Sequence, residues 1–425
     1  MGGWRGGLRH HPDFLKLWVG ETISLLGSQV TLLALPLTAI LTLHANAAQM
    51  GYLTAAETAP SLLVGLVAGA WIDRLRRRPI MIGVNLGRFA LLLSIPLLAV
   101  SGRLSMHVLY PIAFLVGTLM VWFNVAYQAF FPSLVGREHL IEGNTRLEVS
   151  ASGAQIAGPG LAGLLVGLVT APLAIAADAA SFLASALCLV AIRTPEPSPI
   201  AREPAGSVWR DVVEGLRAVL GNPVLRAIAG GTGTLNFFGA AADALVVLYL
   251  SRQLGLGPVL LGVIFAAGNV GFLAGALLSG WLPGRIGLGP TIVWSLPIGG
   301  FGALLVPLAG GPLLPVVGLL VLGRVLVGFG GAIYNVHQVS LRQRITPDRL
   351  QGRMNASMWV LVWGTLPLGG LLGGALGGTL GLRATLALLA VGQMLAVLWV
   401  WRSPVRRLRE HPAPIDDGTI EPAIP

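Results

Sequence analysis

The sequence has little charge and almost no cysteine. Only 11% of its 425 residues are Asp, Glu, Lys or Arg, and Cys188 is its one cysteine. A single cysteine excludes an intramolecular disulfide and a cysteine metal cluster. The sequence also lacks a Walker sequence, a histidine and carboxylate cluster at metal-ligand spacing, and a serine nucleophile elbow. We therefore expect no enzyme, no metal site and no cofactor, and an energy source other than ATP.

What the chain has in abundance is apolar length. Hydrophobic residues make up 54% of it and its mean hydropathy is +0.77, which is more than a soluble core needs. Runs of about 20 apolar residues cross a bilayer as helices, because a helix satisfies its own backbone hydrogen bonds. The runs lack the alternation of barrel strands. We predict an all-α membrane protein with twelve transmembrane helices, at 14–42, 49–72, 79–101, 107–133, 145–169, 172–192, 224–250, 258–282, 289–309, 313–339, 355–380 and 382–401.

The first run has one other interpretation, a secretory signal peptide, because a basic start leads into an apolar stretch. The run carries Glu21 and is longer than a typical signal core of about 7 to 15 residues. We interpret it as a retained first transmembrane helix.

The 28 basic residues, of which Lys16 is the single lysine, are unevenly distributed. Most lie at the two ends and in the even-numbered connections, and the exceptions are Arg103, Arg252 and Arg383 in odd-numbered connections and Arg88 and Arg324 inside spans. By the positive-inside rule both termini are cytoplasmic. Because the arginines are spread over short loops, the net charge of +10 reflects topology, and we expect no nucleic-acid partner. The preference for arginine is typical of a GC-rich bacterial genome.

An internal repeat divides the chain. Residues 50–74 align without gaps on 261–285 at an offset of 211 residues, and the same offset pairs Gly117 with Gly328. It also pairs Asn144 with Asn355 and Gly158 with Gly369. We predict two homologous six-helix halves, 1–192 and 222–402, a proline-rich cytoplasmic linker with an amphipathic helix at 193–221, and a disordered cytoplasmic tail at 403–425.

The loop "GAWIDRLRRRP" at 69–79 carries a recognisable signature, formed by Gly69, Asp73, Arg74, Arg77 and Arg78. Together with the two halves and the long middle loop, it resembles the major facilitator superfamily of secondary transporters. Arg76 replaces a glycine of that signature, and the second half keeps Gly280 and Arg285 but has Gly284 in place of the acid. The resemblance implies that this loop stabilises the outward-open arrangement of the halves. The alternative is a solvated turn that only sets topology.

The segment "GAQIAGPGLAG" at 153–163 resembles a helix motif of proton-coupled exporters in this superfamily. Gly153, Gly158, Pro159 and Gly163 match it, and Ala162 replaces a glycine. Proline bends a membrane helix, and small residues allow close helix packing. "LWVGETISLLGSQ" at 17–29 and "ADAASFLASALCLV" at 177–190 resemble the branch of bacterial siderophore exporters and macrolide efflux pumps.

Ionisable side chains inside a membrane are costly and are therefore candidates for proton coupling or substrate binding. Glu57 is the first of these, because its repeat partner is Gly268. It either exchanges protons, attracts a cationic substrate, pairs with an arginine or faces a wet vestibule. The others are Asp243, Asp178, Glu21, Arg88 and Arg324. For the two aspartates local capping or a salt bridge competes with a coupling role, and for Glu21 snorkelling competes with substrate contact. Arg324 resembles an arginine that the superfamily has in span 4, but here it lies in span 10. The equivalent position of span 4 is Ala113.

Four amides on spans 4 and 10 are candidates for a central path, with helix packing as the alternative: Asn124, Gln128, Asn335 and Gln338.

The resemblance implies a secondary active transporter, an antiporter that exports small amphipathic or natural-product compounds of drug, macrolide or siderophore type in exchange for protons. The alternatives are an uptake symporter and a passive lipid-translocating or scaffold protein. We expect a monomer in the bacterial inner or plasma membrane, with a small-molecule substrate, protons and the lipid bilayer as its partners.

Overall fold

The computed structural model describes residues 7–65, 72, 75–196 and 208–409. These residues form helices and no strand. The helices of the first half are α1 (Pro12–Leu37), α2 (Ala47–Leu63), α3 (Arg77–Val100), α4 (Met106–Val135), α5 (Leu140–Leu168) and α6 (Ala171–Val190). The helices of the linker and second half are α7 (Val208–Gly221), α8 (Pro223–Leu248), α9 (Pro258–Ser279), the short α10 (Leu282–Ile286), α11 (Leu288–Leu308), α12 (Leu313–Ile345), α13 (Asp348–Trp363), α14 (Thr365–Thr379) and α15 (Leu382–Trp401).

The predicted fold class is confirmed. Eleven spans in the described residues are long and apolar enough to cross a membrane, and α2, which borders residues outside the described part, is the remaining predicted span. One predicted span, 355–380, consists of the two helices α13 and α14. The break lies at Gly364 because Pro367 has no N–H to donate to the carbonyl of Trp363.

Both halves depart from regular α-helix at the same place. A π-helical turn, Thr38–Thr42, follows α1, and a second one, Tyr249–Gln253, follows α8. The two turns are 211 residues apart, the offset of the sequence repeat. The repeat therefore extends to local backbone geometry.

The chain folds into two compact units, one drawn from residues 1–46, 56–203 and 255–266 and the other from 47–55, 204–254 and 267–425. In unit 1 the main helix pairs are α1 with α6, α3 with α6, α1 with α5, and α3 with α4. In unit 2 they are α8 with α15, α11 with α15, α8 with α14, and α11 with α12. The four pairs of one unit are the repeat equivalents of the four pairs of the other.

Glycines allow close helix approach at equivalent places in each unit. In unit 1 a methyl group added at Gly163 of α5 would lie 3.0 Å from the Cα of Gly262 in α9. In unit 2 a methyl group at Gly374 of α14 would lie 2.9 Å from the Cα of Gly51 in α2. Both members of each pair are glycine because the backbones leave no room for a Cβ, as is common in membrane helix packing.

The amphipathic helix of the linker packs within unit 2. Gly215 of α7 lies against the carbonyl of Arg353 and the hydroxyl of Ser357 in α13. Val219, one turn later, is fully buried in the unit 2 core with Met354 and neighbouring residues. On other faces of α7, Val213 and Leu220 are 42% and 49% exposed. The helix therefore has one face in the protein and further apolar side chains on its surface.

Candidate functional site

Three of the predicted ionisable residues come together inside unit 1. Arg88 of α3 lies over two aromatic rings, with its guanidinium carbon 5.4 Å from the Phe123 ring centroid and 4.8 Å from that of Phe182. Arg88 and Asp178 are 5% and 1% exposed. The charges of both Glu21 on α1 and Asp178 on α6 act on Arg88. We call Glu21, Arg88 and Asp178 the unit 1 charge cluster.

The packing of α1 on α6 places these acids inside the protein. A methyl group added at Gly27 of α1 would lie 2.6 Å from Oδ1 of Asp178. Asp178 Oδ1 accepts a hydrogen bond from the Ser181 hydroxyl at 3.0 Å, and Asn85 Nδ2 donates to the Ser185 hydroxyl at 3.0 Å. Because position 27 is glycine, α1 approaches α6 closely enough to exclude bulk water from this carboxylate.

The cluster is not a closed ion pair. Among the described residues no carboxylate oxygen lies within 4.0 Å of the Arg88 guanidinium nitrogens. Glu21 Oε2 and Arg88 Nε are buried and have no hydrogen-bond partner. Buried polar atoms of native proteins nearly always have a partner. Glu21 Oε2 can therefore take a proton or accept a hydrogen bond, and the Arg88 Nε–H can donate one to a water molecule or a ligand.

Tyr127 of α4 is a further member of this region that the sequence reasoning missed. Glu21 acts on it electrostatically, and its ring stacks with Phe123 at 6.0 Å and with Phe131 at 5.9 Å. The signal in the sequence is the spacing of four residues between successive aromatic residues, which places them on one face of a helix.

Glu57 lies apart from this cluster. It is half-buried on α2, and a methyl group added at Gly117 of α4 would lie 2.7 Å from its backbone carbonyl oxygen. In the described part of the chain its carboxylate has no ion pair. Its repeat partner, Gly268 of α9, has its carbonyl against Gly328 of α12 in the same way. The backbone contact is repeated in both units and the carboxylate occurs in one.

Unit 2 has its own opposite charges at different positions. Asp243 of α8 is exposed and Arg324 of α12 is half-buried, and the charge of each acts on the other. A methyl group added at Gly268 would lie 3.6 Å from Cβ of Arg324. In the equivalent helix contact of unit 1, Ala113 corresponds to Arg324 and Glu57 corresponds to Gly268.

The four amides proposed for a central path differ in exposure. Asn124, Gln128 and Asn335 are exposed, and Gln338 is buried. Gln338 Nε2 donates to Oδ1 of Asn335 at 3.2 Å. The α12 amides thus bind each other, which accords with helix packing at Gln338.

The signature loop is only partly described. Gly69, Asp73 and Arg74 lie outside the described residues. The backbone N–H groups of Arg77 and Arg78 donate to the Glu196 carboxylate at 2.6 and 3.2 Å. Glu196 therefore caps the N-terminus of α3, where a negative charge is favourable, and sequence reasoning did not identify it.

Arg78 and Asp13 connect the N-terminal ends of α3 and α1 to the C-terminal end of α6 and the residues that follow it. Arg78 donates from Nε to the carbonyl of Leu189 at 2.9 Å and from Nη2 to that of Val190 at 2.7 Å, at the C-terminus of α6. Asp13 at the start of α1 accepts from the backbone N–H and hydroxyl of Thr194 at 2.8 and 2.6 Å. These contacts fix the ends of α1, α3 and α6 relative to one another.

The exporter-type motif of α5 makes contacts on two sides. A methyl group at Gly158 would meet the Gln29 side chain of α1, and the carbonyl of Pro159 lies against Gly262 of α9. Gly163 contacts the same part of α9. Gly153 is exposed with open space beside it. Three of the four motif positions are therefore packing positions, and Gly153 is not.

Comparison with known proteins gives consistent results along the whole chain. The family model described as Major Facilitator Superfamily matches residues 17–319 and 244–421. The enterobactin exporter EntS of Citrobacter koseri is 27% identical over 429 residues, covering 97% of this chain and 96% of that protein. The protein of the same name in Escherichia coli O81 is 26% identical over 423 residues, covering 95% of each.

Solved structures show the same fold at low identity. A bacterial homologue of the iron transporter ferroportin in an inward-facing state has a TM-score of 0.73 at 17% identity, covering 92% of this chain and 98% of that one. The nucleoside transporter NupG has a TM-score of 0.74 at 12% identity, with coverage of 92% and 98%. At these identities the structures inform on the fold alone.

Proposed function

The chain belongs to the Major Facilitator Superfamily of membrane transporters, and from this premise we propose that it is a proton-coupled exporter of small amphipathic natural products of the siderophore type. It is an antiporter that works by alternating access, with the proton gradient as its energy source and no cofactor. It functions as a monomer with both termini in the cytoplasm.

The observation that carries this proposal is the unit 1 charge cluster. Glu21 and Asp178 are two acids that act on one cation, Arg88. If both acids are ionised, the cluster has one negative charge without a balancing cation, and burying an unbalanced charge costs several kcal/mol. One proton on either acid makes the cluster neutral. The cluster therefore stores one proton that exchanges with little change in the fold.

Binding or loss of the proton changes the charge of the cluster by one unit. The affinity of the cluster for a ligand therefore depends on whether the proton is bound. A substrate that binds preferentially when the proton has left shifts the equilibrium by its difference in affinity for the two states. When proton and substrate bind alternately, the inward proton gradient drives substrate outward. Glu21 Oε2 and Arg88 Nε, which have no partner in the described structure, are the atoms that meet such a ligand.

The relatives and the side chains around the cluster support the proposed substrate class. Both reported relatives are named enterobactin exporters and match this chain along nearly its full length. Phe123, Phe182 and Tyr127 surround Arg88 and Glu21 with aromatic faces. Aromatic faces beside a buried cation suit an amphipathic compound with aromatic and polar groups.

The test is substrate-induced proton movement in proteoliposomes with an acidic interior. The protein is reconstituted, a siderophore, a macrolide or a lipophilic cation is added outside, and interior pH is followed with a trapped dye. We expect proton release with the siderophore class, and its loss in Glu21→Gln. The matched control is Glu148→Gln, which alters an exposed acid of α5.

Two results would contradict the proposal. Substrate-driven alkalinisation of the outer medium would indicate uptake by symport. No proton movement with any compound, together with lipid scrambling by folded protein, would indicate a passive lipid-translocating protein.

A further inference from the structure

A surface groove of about 500 Å³ lies within unit 2, between α8, α15 and the residues that follow α15. Its volume falls in the range of about 300 to 1,000 Å³ that is common for ligand sites. Most of its length is lined by apolar side chains, namely Ala227, Phe238, Leu395, Leu398 and Trp399. At one end it is lined by Arg226 and Arg402. The groove takes no part in the transport site proposed above.

The length of the groove matches one leaflet of a bilayer. Phe238 lies twelve positions after Arg226 in α8, which at about 1.5 Å per residue is roughly 18 Å. The hydrocarbon core of a bilayer is about 30 Å thick, so a leaflet contributes roughly half of that. Both helices are membrane spans. The apolar length therefore lies at the depth of acyl chains and the arginines lie near the headgroups.

Trp399 forms a fixed side of the groove. Its indole Nε1 donates to the hydroxyl of Thr234 at 3.1 Å. A methyl group added at Gly230 would lie 2.5 Å from the indole ring, so the ring rests on the glycine backbone of α8. Trp399 and Leu395 are still 47% and 49% exposed. This apolar surface is held in place and remains open to an occupant.

The arginine end is strongly cationic. Arg226 donates from Nη1 to the carbonyl of Leu220 at 3.3 Å, which leaves its other guanidinium donors for a ligand. Arg402 is exposed, and within the described residues neither arginine has an ion pair. None of the described residues that line the groove is acidic. Pro223, at the N-terminus of α8, lines the same end, where the helix dipole is positive.

We infer that this groove binds one anionic phospholipid. The phosphate lies between Arg226 and Arg402, and an acyl chain follows the groove past Trp399 to Phe238 and Leu395. Basic pockets between transmembrane helices at the membrane surface recognise anionic headgroups in this way. The charge at one end selects phosphatidylglycerol or cardiolipin over a zwitterionic lipid, and the apolar length selects a lipid over free phosphate.

Native mass spectrometry of the full-length protein tests this inference. The protein is released from micelles that contain equal amounts of phosphatidylglycerol and phosphatidylcholine, and retained lipids are counted. We expect one phosphatidylglycerol to be retained in preference. The double variant Arg226→Gln/Arg402→Gln should weaken its binding roughly tenfold or more. The matched control Arg193→Gln/Arg344→Gln removes two exposed arginines elsewhere and should retain it.

A second variant separates the groove from general charge attraction. Leu395→Trp fills the apolar length and leaves both arginines, and it should lower phosphatidylglycerol retention. Folding of each variant is verified by size-exclusion chromatography. Equal retention of the two lipids by the wild type, equal loss in the control pair, or unchanged retention in Leu395→Trp would each overturn the inference.

A measurement in membranes gives an independent result. Brominated phosphatidylglycerol in proteoliposomes should quench the fluorescence of the wild type more than that of Trp399→Phe, and this difference should be larger than the one that the same fraction of brominated phosphatidylcholine gives. If the difference is the same for both lipids, phosphatidylglycerol is not preferred beside Trp399 and the inference fails.

Discussion

The two units share their helix packing and differ in their buried charges. At the repeat offset, Glu21 corresponds to Thr232 and Phe123 to Tyr334. In unit 2 the hydroxyls of Thr232 and Tyr334 form a hydrogen bond at 2.8 Å, whereas in unit 1 the equivalent pair is an acid and an aromatic ring beside Arg88. A satisfied neutral pair is thus enough to build this part of the fold. The charges of unit 1 are therefore not required by the scaffold and point to a role in function.

The other members of the cluster show the same difference. Arg88 corresponds to Gly299 and Asp178 to Leu389, so unit 2 has no ionisable group at any of the three positions. In the opposite direction, Arg324 of unit 2 corresponds to Ala113 and Asp243 to Leu32. The comparison indicates that the two units share their close glycine packing but have different ionisable side chains at equivalent positions. Substitutions can test this conclusion.

The largest effect is expected from Arg88→Met, which breaks the charge balance of unit 1. It leaves Glu21 and Asp178 buried without a cation, which typically costs about 3 to 5 kcal/mol. We expect a large fall in thermal stability, measured by fluorescence-detected size exclusion, and loss of transport. Adding Glu21→Gln and Asp178→Asn to Arg88→Met should restore most of the stability and none of the transport. If the triple variant is as unstable as the single one, Arg88 acts through packing alone.

Removing one acid at a time should separate proton coupling from folding. In Glu21→Gln and in Asp178→Asn, transport driven by a pH gradient should fall to background while substrate exchange across liposomes persists, because the remaining acid stays balanced by Arg88. Glu57→Gln serves as the comparison within the same unit and should retain more gradient-driven transport. The assignment of the proton to this cluster fails if Glu57→Gln abolishes gradient-driven transport and the other two variants do not.

The shared glycine packing predicts equal losses of stability when equivalent glycines of the two units are substituted. Gly163→Ala and Gly374→Ala each place a methyl group against backbone atoms and should each lower stability by about 1 to 3 kcal/mol. Gly153→Ala is the control, since open space surrounds that position, and it should change stability by about 0.5 kcal/mol or less. Thermal melts in one detergent provide the comparison, and a marked difference between the first two variants would contradict equivalence.

The smallest effect is expected from Tyr334→Phe, which installs in unit 2 the residue of unit 1. It removes the hydrogen bond to Thr232, worth about 0.5 to 1.5 kcal/mol. Transport coupled to protons should be unchanged, as measured by dye-reported proton release. A loss of coupling in this variant would show that unit 2 also contributes to the proton pathway.

Several features were predictable from the sequence because they depend on local chemistry. Hydropathy located the spans, and the alignment of 50–74 on 261–285 without gaps predicted the repeat and its offset. The break at Gly364 was missed, although Pro367 is the residue that causes it. The contribution of Tyr127 was missed because aromatic spacing of this kind is typical of any buried helix face.

The candidate site was only partly predictable. The sequence identified Glu21, Arg88 and Asp178 one by one as costly intramembrane groups, each with a local alternative. It contained no information that the three meet, since they lie on helices far apart in the chain. Glu196 was missed as the cap of α3 for the same reason: its partners, the N–H groups of Arg77 and Arg78, are 119 and 118 residues away.

Composition and periodicity were enough to predict a twelve-span, twofold-repeated membrane protein, because the bilayer imposes its requirements on both, whereas the transport function was implied by the resemblance to a known family. The packing of the helices decided instead which charged side chains lie close to one another. Coulomb interactions depend on distance through space, and here the packing of α1, α3 and α6 sets that distance. Only the folded structure therefore distinguished the acids that face Arg88 from Glu57, which does not.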